Sequence, residues 1–169
     1  AVPAYVALQP PANWSGTISG LQVGVWSGEP GLDPALTTAT IDVTVNGVAD
    51  GIGLTPTLSF GNEGQIIALN LNSVMPDSDN SETATLTVKG LGQYAAFYAG
   101  TTLLTAGYDA GTDTYTLTGL TPAQVTGLGV IQKDGSYSLE VTAHTVDSPG
   151  ASTSATVTAT LPLNIANVP

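Results

Sequence analysis

The fold is decided by short stretches of alternating residues, of which Thr83–Lys89, T-A-T-L-T-V-K, is the clearest. Ala84, Leu86 and Val88 fall on one side of an extended chain, and the threonines between them fall on the other. This period of two is typical of a strand in an antiparallel sheet with one buried and one solvated face. Threonine suits the outward positions because its branched Cβ fits the pleated surface. The stretch therefore predicts a half-buried β-strand.

The same alternation recurs along the chain, between turn-forming pairs such as Asn46-Gly47 and Asp134-Gly135. The further alternating runs are 40–46, 114–118, 136–143 and 155–163. One helical turn is predicted at Thr121-Pro122, where a capping residue precedes a proline at the first helical position. Many short strands at this spacing predict an all-β fold, an antiparallel β-sandwich.

Composition excludes several classes of function. The 169 residues carry a net charge of −11, with thirteen acidic side chains and only two basic ones, Lys89 and Lys133. Two cations are too few to neutralise a row of phosphates or to attach to an anionic membrane. No apolar run is long enough to span a bilayer, and the absence of cysteine excludes disulfides and zinc–thiolate sites. We therefore expect neither nucleic-acid binding nor membrane insertion.

An internal repeat divides the chain. Leu21, Val23, Val25 and Glu29 lie 118 positions before Leu139, Val141, Ala143 and Asp147. The alignment makes 51–169 one full repeat and 1–50 the C-terminal part of a preceding one. Residues 1–50 supply about three strands, too few to bury both faces of a sandwich. Either the rest of their domain lies outside this sequence, or they complete a neighbouring domain.

The best candidate site is the run Asp77-Ser78-Asp79-Asn80-Ser81-Glu82. Carboxylates at alternate positions, mixed with amide and hydroxyl oxygens, provide the ligands that calcium prefers. The run lacks the glycine and the distal glutamate of an EF-hand loop, so it is not an EF-hand. The alternative interpretation is a solvated acidic turn.

Other acids also stand at predicted strand ends. If 65–71 runs from the N-terminal pole of the sandwich to the far pole, Glu63 and Asp147 lie with Asp50 at the N-terminal pole. The 77–82 loop then lies at the opposite pole, beside Asn167, and Glu29 lies at the outer pole of the preceding unit. Carboxylates gathered at a domain junction repel one another unless a cation neutralises them. The candidate calcium ligands are Glu29, Asp50, Glu63, Asp77, Asp79, Glu82 and Asp147.

Several runs together resemble one family of repeats. They are G-N-E-G-Q-I-I-A-L-N-L at 61–71, D-S-D-N-S-E-T-A-T-L-T-V-K-G-L at 77–91, L-T-P-A-Q-V-T-G-L-G-V at 120–130, G-S-Y-S-L-E-V-T-A at 135–143, S-A-T-V-T-A-T-L-P-L at 154–163, and, from a preceding copy, N-W-S-G-T-I-S-G-L-Q-V at 13–23 and T-T-A-T-I-D-V-T-V-N-G-V-A-D at 37–50. In this order they resemble the calcium-dependent extender repeats, cadherin-like and VCBS-like, of large RTX-type bacterial adhesins. The resemblance covers nearly the whole chain.

The resemblance implies an Ig-like or cadherin-like sandwich in a secreted or cell-surface adhesin involved in cell adhesion and biofilms. Calcium at the inter-domain linkers then stiffens a fibre, and the partners are neighbouring repeats of the same chain or fibre, with host or cell-surface ligands held by other domains. By matching position, Glu63, Asp77, Asp79 and Glu82 correspond to the acids of the opening motifs, and Asp50 to the closing linker.

The sequence departs from the family at two positions. Gly64 stands where the family has an aspartate, and Asn80 stands where it has a glycine. Either change is expected to weaken or rearrange a calcium site.

We expect no enzymatic activity. His144 is the only histidine, and the strand pattern turns it outward, whereas a serine-type triad needs a histidine oriented by a buried acid. The alternative function is a sugar- or peptide-binding module of the same kind of adhesin, including one split by an insertion. Trp14 or Trp26 would supply its aromatic platform if exposed, whereas buried tryptophans favour the structural module.

Overall fold

A computed structural model of the chain describes residues 5–77, 79–148, 150 and 152–169. Ser78, in the acidic run, lies outside these residues. The regular secondary structure of this part is nearly all β-strand, with one short helix. Its elements are β1 Gly16–Ser27, β2 Ala35–Val45, β3 Ser59–Asn62, β4 Ile67–Ala68, β5 Glu82–Lys89, β6 Ala96–Ala99, β7 Thr102–Leu103, β8 Gly107–Asp109, β9 Thr114–Leu120, α1 Pro122–Thr126, β10 Leu128–Ile131, β11 Gly135–Asp147 and β12 Val157–Ala166.

Two of the three sheets form a sandwich. One has the strand order β3-β12-β11-β5-β9-β8 and the other β4-β10-β6-β7, and they share one apolar core. β3 runs parallel to β12, whereas β5, β11 and β12 are antiparallel neighbours. By their pairing, β12, β11 and β5 correspond to the G, F and C strands of an immunoglobulin sandwich. In the other sheet, β4 and β10 correspond to the B and E strands. The predicted all-β, Ig-like sandwich is confirmed.

The strand period fills the core as predicted. In β5 the side chains of Ala84, Leu86 and Val88 are fully buried, and the threonines between them are half-buried on the outer side. The buried row of β11 has the same spacing, and Leu117 of β9 joins the cluster. Core burial is therefore the direct result of the alternation in the sequence.

The predicted helical turn is also confirmed. The Thr121 side chain accepts a hydrogen bond from the backbone N–H of Gln124, whose own side chain accepts one from the backbone N–H of Thr121. This capping box satisfies two backbone donors at the start of α1. Val125 is buried beneath the turn, which ends at Gly127. No helix in the described ranges has the length and apolarity needed to cross a membrane.

The first fifty residues differ from the prediction of about three strands. Residues 5–50 contain two strands, β1 and β2, which pair antiparallel as one hairpin. The sandwich core lies entirely between Ile52 and Ile165. The division of the chain at residue 50 into parts of two repeats stays a prediction.

The sandwich begins with an extended segment that the alternation did not predict. The backbone N–H groups of Gly53, Thr55 and Thr57 donate to carbonyls of residues 70–74, and the chain then enters β3. Residues 51–62 thus run the length of the sandwich before Glu63. The predicted direction of 65–71, from the N-terminal pole to the far pole, was wrong, because that stretch is the second pass of the chain and runs back.

Leu86→Ala is expected to lower the free energy of unfolding by about 3 kcal/mol, because it leaves a cavity in a close-packed core. Leu103→Ala is the matched control, since Leu103 is 63% exposed on the short strand β7, and we expect a change below about 0.5 kcal/mol there. Urea unfolding followed by far-UV circular dichroism measures both. Equal losses in the two variants would contradict the core assignment.

Candidate metal centre

Two carboxylates face each other at one end of the core. Glu82 is the first residue of β5 and Asp147 the last of β11, and the two are direct partners in the antiparallel register. Both continue the inward-facing row of their strands, so their side chains are 2% and 5% exposed. Like charges directly opposite each other destabilise a sheet. The pair therefore needs protonation, hydrogen bonds or a cation to be compatible with burial.

A pocket of about 180 Å³ surrounds this pair. Asp50 and Asp77 also line it, so four of the predicted ligands meet there. Asp50 follows the hairpin, whereas Asp77, Glu82 and Asp147 belong to the sandwich. The pocket thus lies where residues 46–50 reach the sandwich.

Glu82 is held on one side only. Its Oε1 accepts a hydrogen bond from the backbone N–H of Asp50, but its Oε2 is buried with no hydrogen-bond partner in the described residues. Burial, and then the charges of Asp50, Asp77 and Asp147, raise the pKa of Glu82 above its ordinary value, against the lowering effect of the Asp50 N–H. An unpaired buried carboxylate oxygen costs free energy, and it is the feature of this pocket that calls for a ligand.

Asp79 has a different place. Its Oδ2 accepts from the backbone N–H of Ser15 at 2.7 Å and its Oδ1 from that of Ser81 at 3.0 Å. A side-chain hydrogen bond from Ser81, and then the Ser15 N–H, hold the pKa of Asp79 well below its usual value. Asp79 therefore ties the residue before the hairpin to the acidic loop, and its two oxygens are already engaged.

Asp77 organises the loop itself. Its Oδ1 accepts from the backbone N–H of Asp79 at 3.1 Å and its Oδ2 from that of Glu82 at 3.2 Å. Asn80 adopts a left-handed conformation, φ +61°, which glycine and asparagine tolerate best. Asparagine therefore fits the backbone at this position. Gly64, at φ +76°, occupies another left-handed position.

Three residues of the first segment complete the pocket, and the sequence analysis did not place them beside the acids. The Ser15 hydroxyl donates to Asp147 Oδ1 at 3.3 Å, and Trp14 lines the wall. Gly47 packs against the same carboxylate, since a Cβ there would lie 2.2 Å from Asp147 Oδ1. A glycine beside a turn-forming asparagine gives no signal of such a contact.

The structure separates the other two predicted ligands from this pocket. Glu63 lies at the C-terminal pole, where its Oε1 accepts from Asn167 Nδ2 at 3.1 Å and from the backbone N–H of Val168 at 3.2 Å. Glu29 is exposed in the turn between β1 and β2. The predicted grouping of Glu63 with Asp50, and of the 77–82 loop with Asn167, was wrong. The overlooked pass through 51–62 exchanges the two poles.

The acidic side chains of the pocket carry the ligand atoms that a hard cation prefers, but they do not stand close enough together to coordinate one. In the ranges that the structure describes, no three histidine or acidic side chains stand close enough together to hold a metal ion. The donors around the pocket are nevertheless all oxygens, and one of them is a buried oxygen without a partner. This donor set is that of calcium rather than zinc.

Comparisons with known proteins add little. No family model and no curated protein matches the chain. A solved structure with some likeness is the major subunit of aggregative adherence fimbriae type I from Escherichia coli, at 13% identity and a TM-score of 0.28, with 72% of this chain and 99% of that one covered. A likeness of that size carries no argument about this chain.

Without calcium, Glu82→Gln is expected to raise the melting temperature at neutral pH, because it removes one charge from the buried pair. The pKa of Glu82 is raised in the folded state, so its contribution to stability is complete below its unfolded value of 4.5 and is lost as pH rises through the folded value. The parent chain in chelator should therefore lose stability as pH rises above about 4.5, and the variant should lose less. Thermal scans at pH 5 and pH 8 in chelator measure the difference.

Glu29→Gln is the matched control for this substitution. Glu29 is exposed in the hairpin turn, so its neutralisation should leave the pH dependence unchanged. Asp79 does not confuse the result, since its lowered pKa confines its loss of stability to pH below 3.8. A parent chain that is equally stable at pH 5 and pH 8 in chelator would contradict the prediction.

Proposed function

We propose that this chain is a non-enzymatic structural module of a secreted or cell-surface bacterial adhesin, stiffened by calcium at the junction pocket. Glu82, Asp147, Asp77 and Asp50 would hold the ion and draw closer around it. The observation that carries the proposal is the buried Glu82 Oε2 without a partner, in register with Asp147. The bound ion would supply the positive charge that this pair lacks.

The distribution of cations supports this proposal. Lys89 ends the strand that Glu82 begins, roughly 23 Å away at the usual rise of a strand. Lys133 precedes β11, whose far end carries Asp147. Both lysines therefore lie at the pole opposite the pocket, and there is no arginine. The acids have no side-chain cation of this chain to neutralise them, so an ion from solution is the natural partner.

The position of the pocket supports a mechanical role. Ser15 and Asp50, on either side of the hairpin, both bond to acids of the sandwich. Ala49 adds a backbone bond to the Ser152 hydroxyl at 2.6 Å. An ion among these acids would tie both ends of the hairpin to the sandwich through the same carboxylates. The angle between the two parts of the chain would then depend on calcium.

Calcium is expected to raise the melting temperature of the full chain by about 5–10 °C at a concentration 100 times its dissociation constant. Such an excess adds about 2.7 kcal/mol to the stability of the folded state, and a chain of this size gains about 2–4 °C per kcal/mol. Glu82→Gln and Asp147→Asn should remove most of this shift, and Glu29→Gln should keep it. Differential scanning calorimetry in calcium and in chelator measures it.

Magnesium serves as the ionic control, since it demands a tighter octahedral set of ligands and should give a smaller shift at equal concentration. If millimolar calcium leaves the melting temperature unchanged, the calcium proposal is overturned. A shift that survives both junction substitutions would place the ion elsewhere.

One observation favours the alternative, a sugar- or peptide-binding module. Trp26 is 67% exposed near the end of β1, opposite Leu36 of β2, which is 47% exposed. Trp14, in contrast, is half-buried against the acidic pocket. An exposed tryptophan is a common stacking surface for a sugar ring or a peptide proline.

If this alternative holds, ligand binding should change the fluorescence of Trp26 and should be lost in Trp26→Ala. A glycan array probed with the full chain, with Trp26→Ala and with Leu103→Ala as a matched surface control, tests it. Binding that is equal in all three, or absent in all three, would contradict a site at Trp26.

A further inference from the structure

The hairpin of β1 and β2 carries an apolar face, formed by Ile18, Leu21, Val23, Val25, Ile41 and Val43. A bulge between Ile18 and Leu21 keeps the apolar side chains on one side, since the extra residue restores the alternation. Val25 is 50% and Ile41 46% exposed. Among the described residues, no other strand pairs with this hairpin. A two-stranded sheet with such a face is marginal in water by itself.

The hairpin matches the pair β11–β12 of the sandwich. Each begins at a glycine that adopts an unusual positive φ, +140° at Gly16 and +147° at Gly135. Gly16 pairs with Val45, and Gly135 pairs with Ile165. In both hairpins an aromatic ring packs against this glycine, that of Trp14 in one and of Tyr137 in the other.

The cross-strand pairs continue the correspondence. Leu21 faces Ile41 in the first hairpin, and Leu139 faces Leu161 in the second. Val23 faces Ala39, and Val141 faces Ala159. The hairpins therefore share a register and an apolar face, and they differ by the bulge in β1 and by the length of the turn.

The sequence before the hairpin matches as well. Pro3-Ala4-x-Val6 repeats Pro122-Ala123-x-Val125 at an offset of 119, the offset that relates Gly16 to Gly135. In the sandwich, this motif forms α1 and leads through β10 into β11. Residues 1–45 thus correspond to the last third of an Ig-like unit.

In the complete unit, the face of β11 and β12 is the centre of the core. Leu139, Val141, Leu161 and Leu163 are all 0% exposed, in one cluster with Ile67 of β4 and with residues of β10. The strands that cover them come from earlier in the same unit. The matching face of the first hairpin therefore has the shape and apolarity to receive strands of the same kind.

We propose that the apolar face of the hairpin binds the first two-thirds of an Ig-like unit similar to residues 51–119, whose strands would enclose it as β3, β4 and β5 enclose β11 and β12. This inference does not rest on calcium, because it uses the opposite part of the hairpin from the acidic pocket. Failure of the calcium proposal and failure of this one are therefore separate results.

The test extends the full chain at its N-terminus with a copy of its own residues 51–119, joined directly to Ala1. The join continues the 119-residue correspondence without a gap or an insertion. We expect hydrogen exchange of the β1 and β2 amides to slow on the order of 100-fold relative to the unextended chain, since buried strands open rarely. Exchange is measured by mass spectrometry or NMR.

Two matched substitutions in the extended chain give the control. Val23→Asp places a charge on the apolar face and should abolish the added protection, whereas Thr40→Asp lies on the opposite face and should keep it. Unchanged exchange of β1 and β2 in the extended chain overturns the proposal, whether or not the added copy folds. A dimer of the unextended chain with protected hairpin amides overturns it too, because it assigns the face to a second copy.

Discussion

The acidic pocket depends on the two-residue period of the strands. β5 and β11 each direct every second side chain into the core, and they are paired so that the last inward position of one faces the first inward position of the other. Those positions are Glu82 and Asp147. The direction that buries Leu86 and Val141 therefore also buries two carboxylates side by side. Their charge cannot be relieved by turning either side chain to solvent without changing the phase of a whole strand.

The surrounding acids divide into two roles by their hydrogen bonds. Asp77 and Asp79 accept backbone N–H groups through both oxygens, and so shape the loop and hold Ser15. Glu82 has an oxygen without a partner, and Asp147 accepts a hydrogen bond from a hydroxyl and packs against Gly47. The backbone bonds of the first pair set the geometry of the loop, whereas the second pair is the part that an ion would change most.

Local pattern was enough to predict β5, β9, β11, β12, much of β2 and the helical turn, and it named the four acids of the pocket without bringing them together. It predicted β5 and β11 because their alternation is regular, and it selected Asp50, Asp77, Glu82 and Asp147 because they stand at strand ends.

Local pattern did not predict which acids lie at which pole of the sandwich. Residues 51–62 include three glycines and one proline and lack a clean alternation, so one pass of the chain was not predicted. A single missed pass places the loop that follows it at the wrong pole. The contact between Gly47 and Asp147 joins residues 100 positions apart, and a packing contact at that separation leaves no periodicity in the sequence.

The hairpin contains both proposed binding sites, which depend on different interactions. Its base, near Ser15 and Gly47, lies against the acids, and its apolar face runs from Ile18 toward Val25. Apolar burial stabilises that face in proportion to area and is insensitive to calcium, whereas the base responds to charge. Ordering the strands at either place lowers the entropy that remains to be lost at the other. The two sites are therefore expected to favour each other through the shared strands, by the same free energy in both directions.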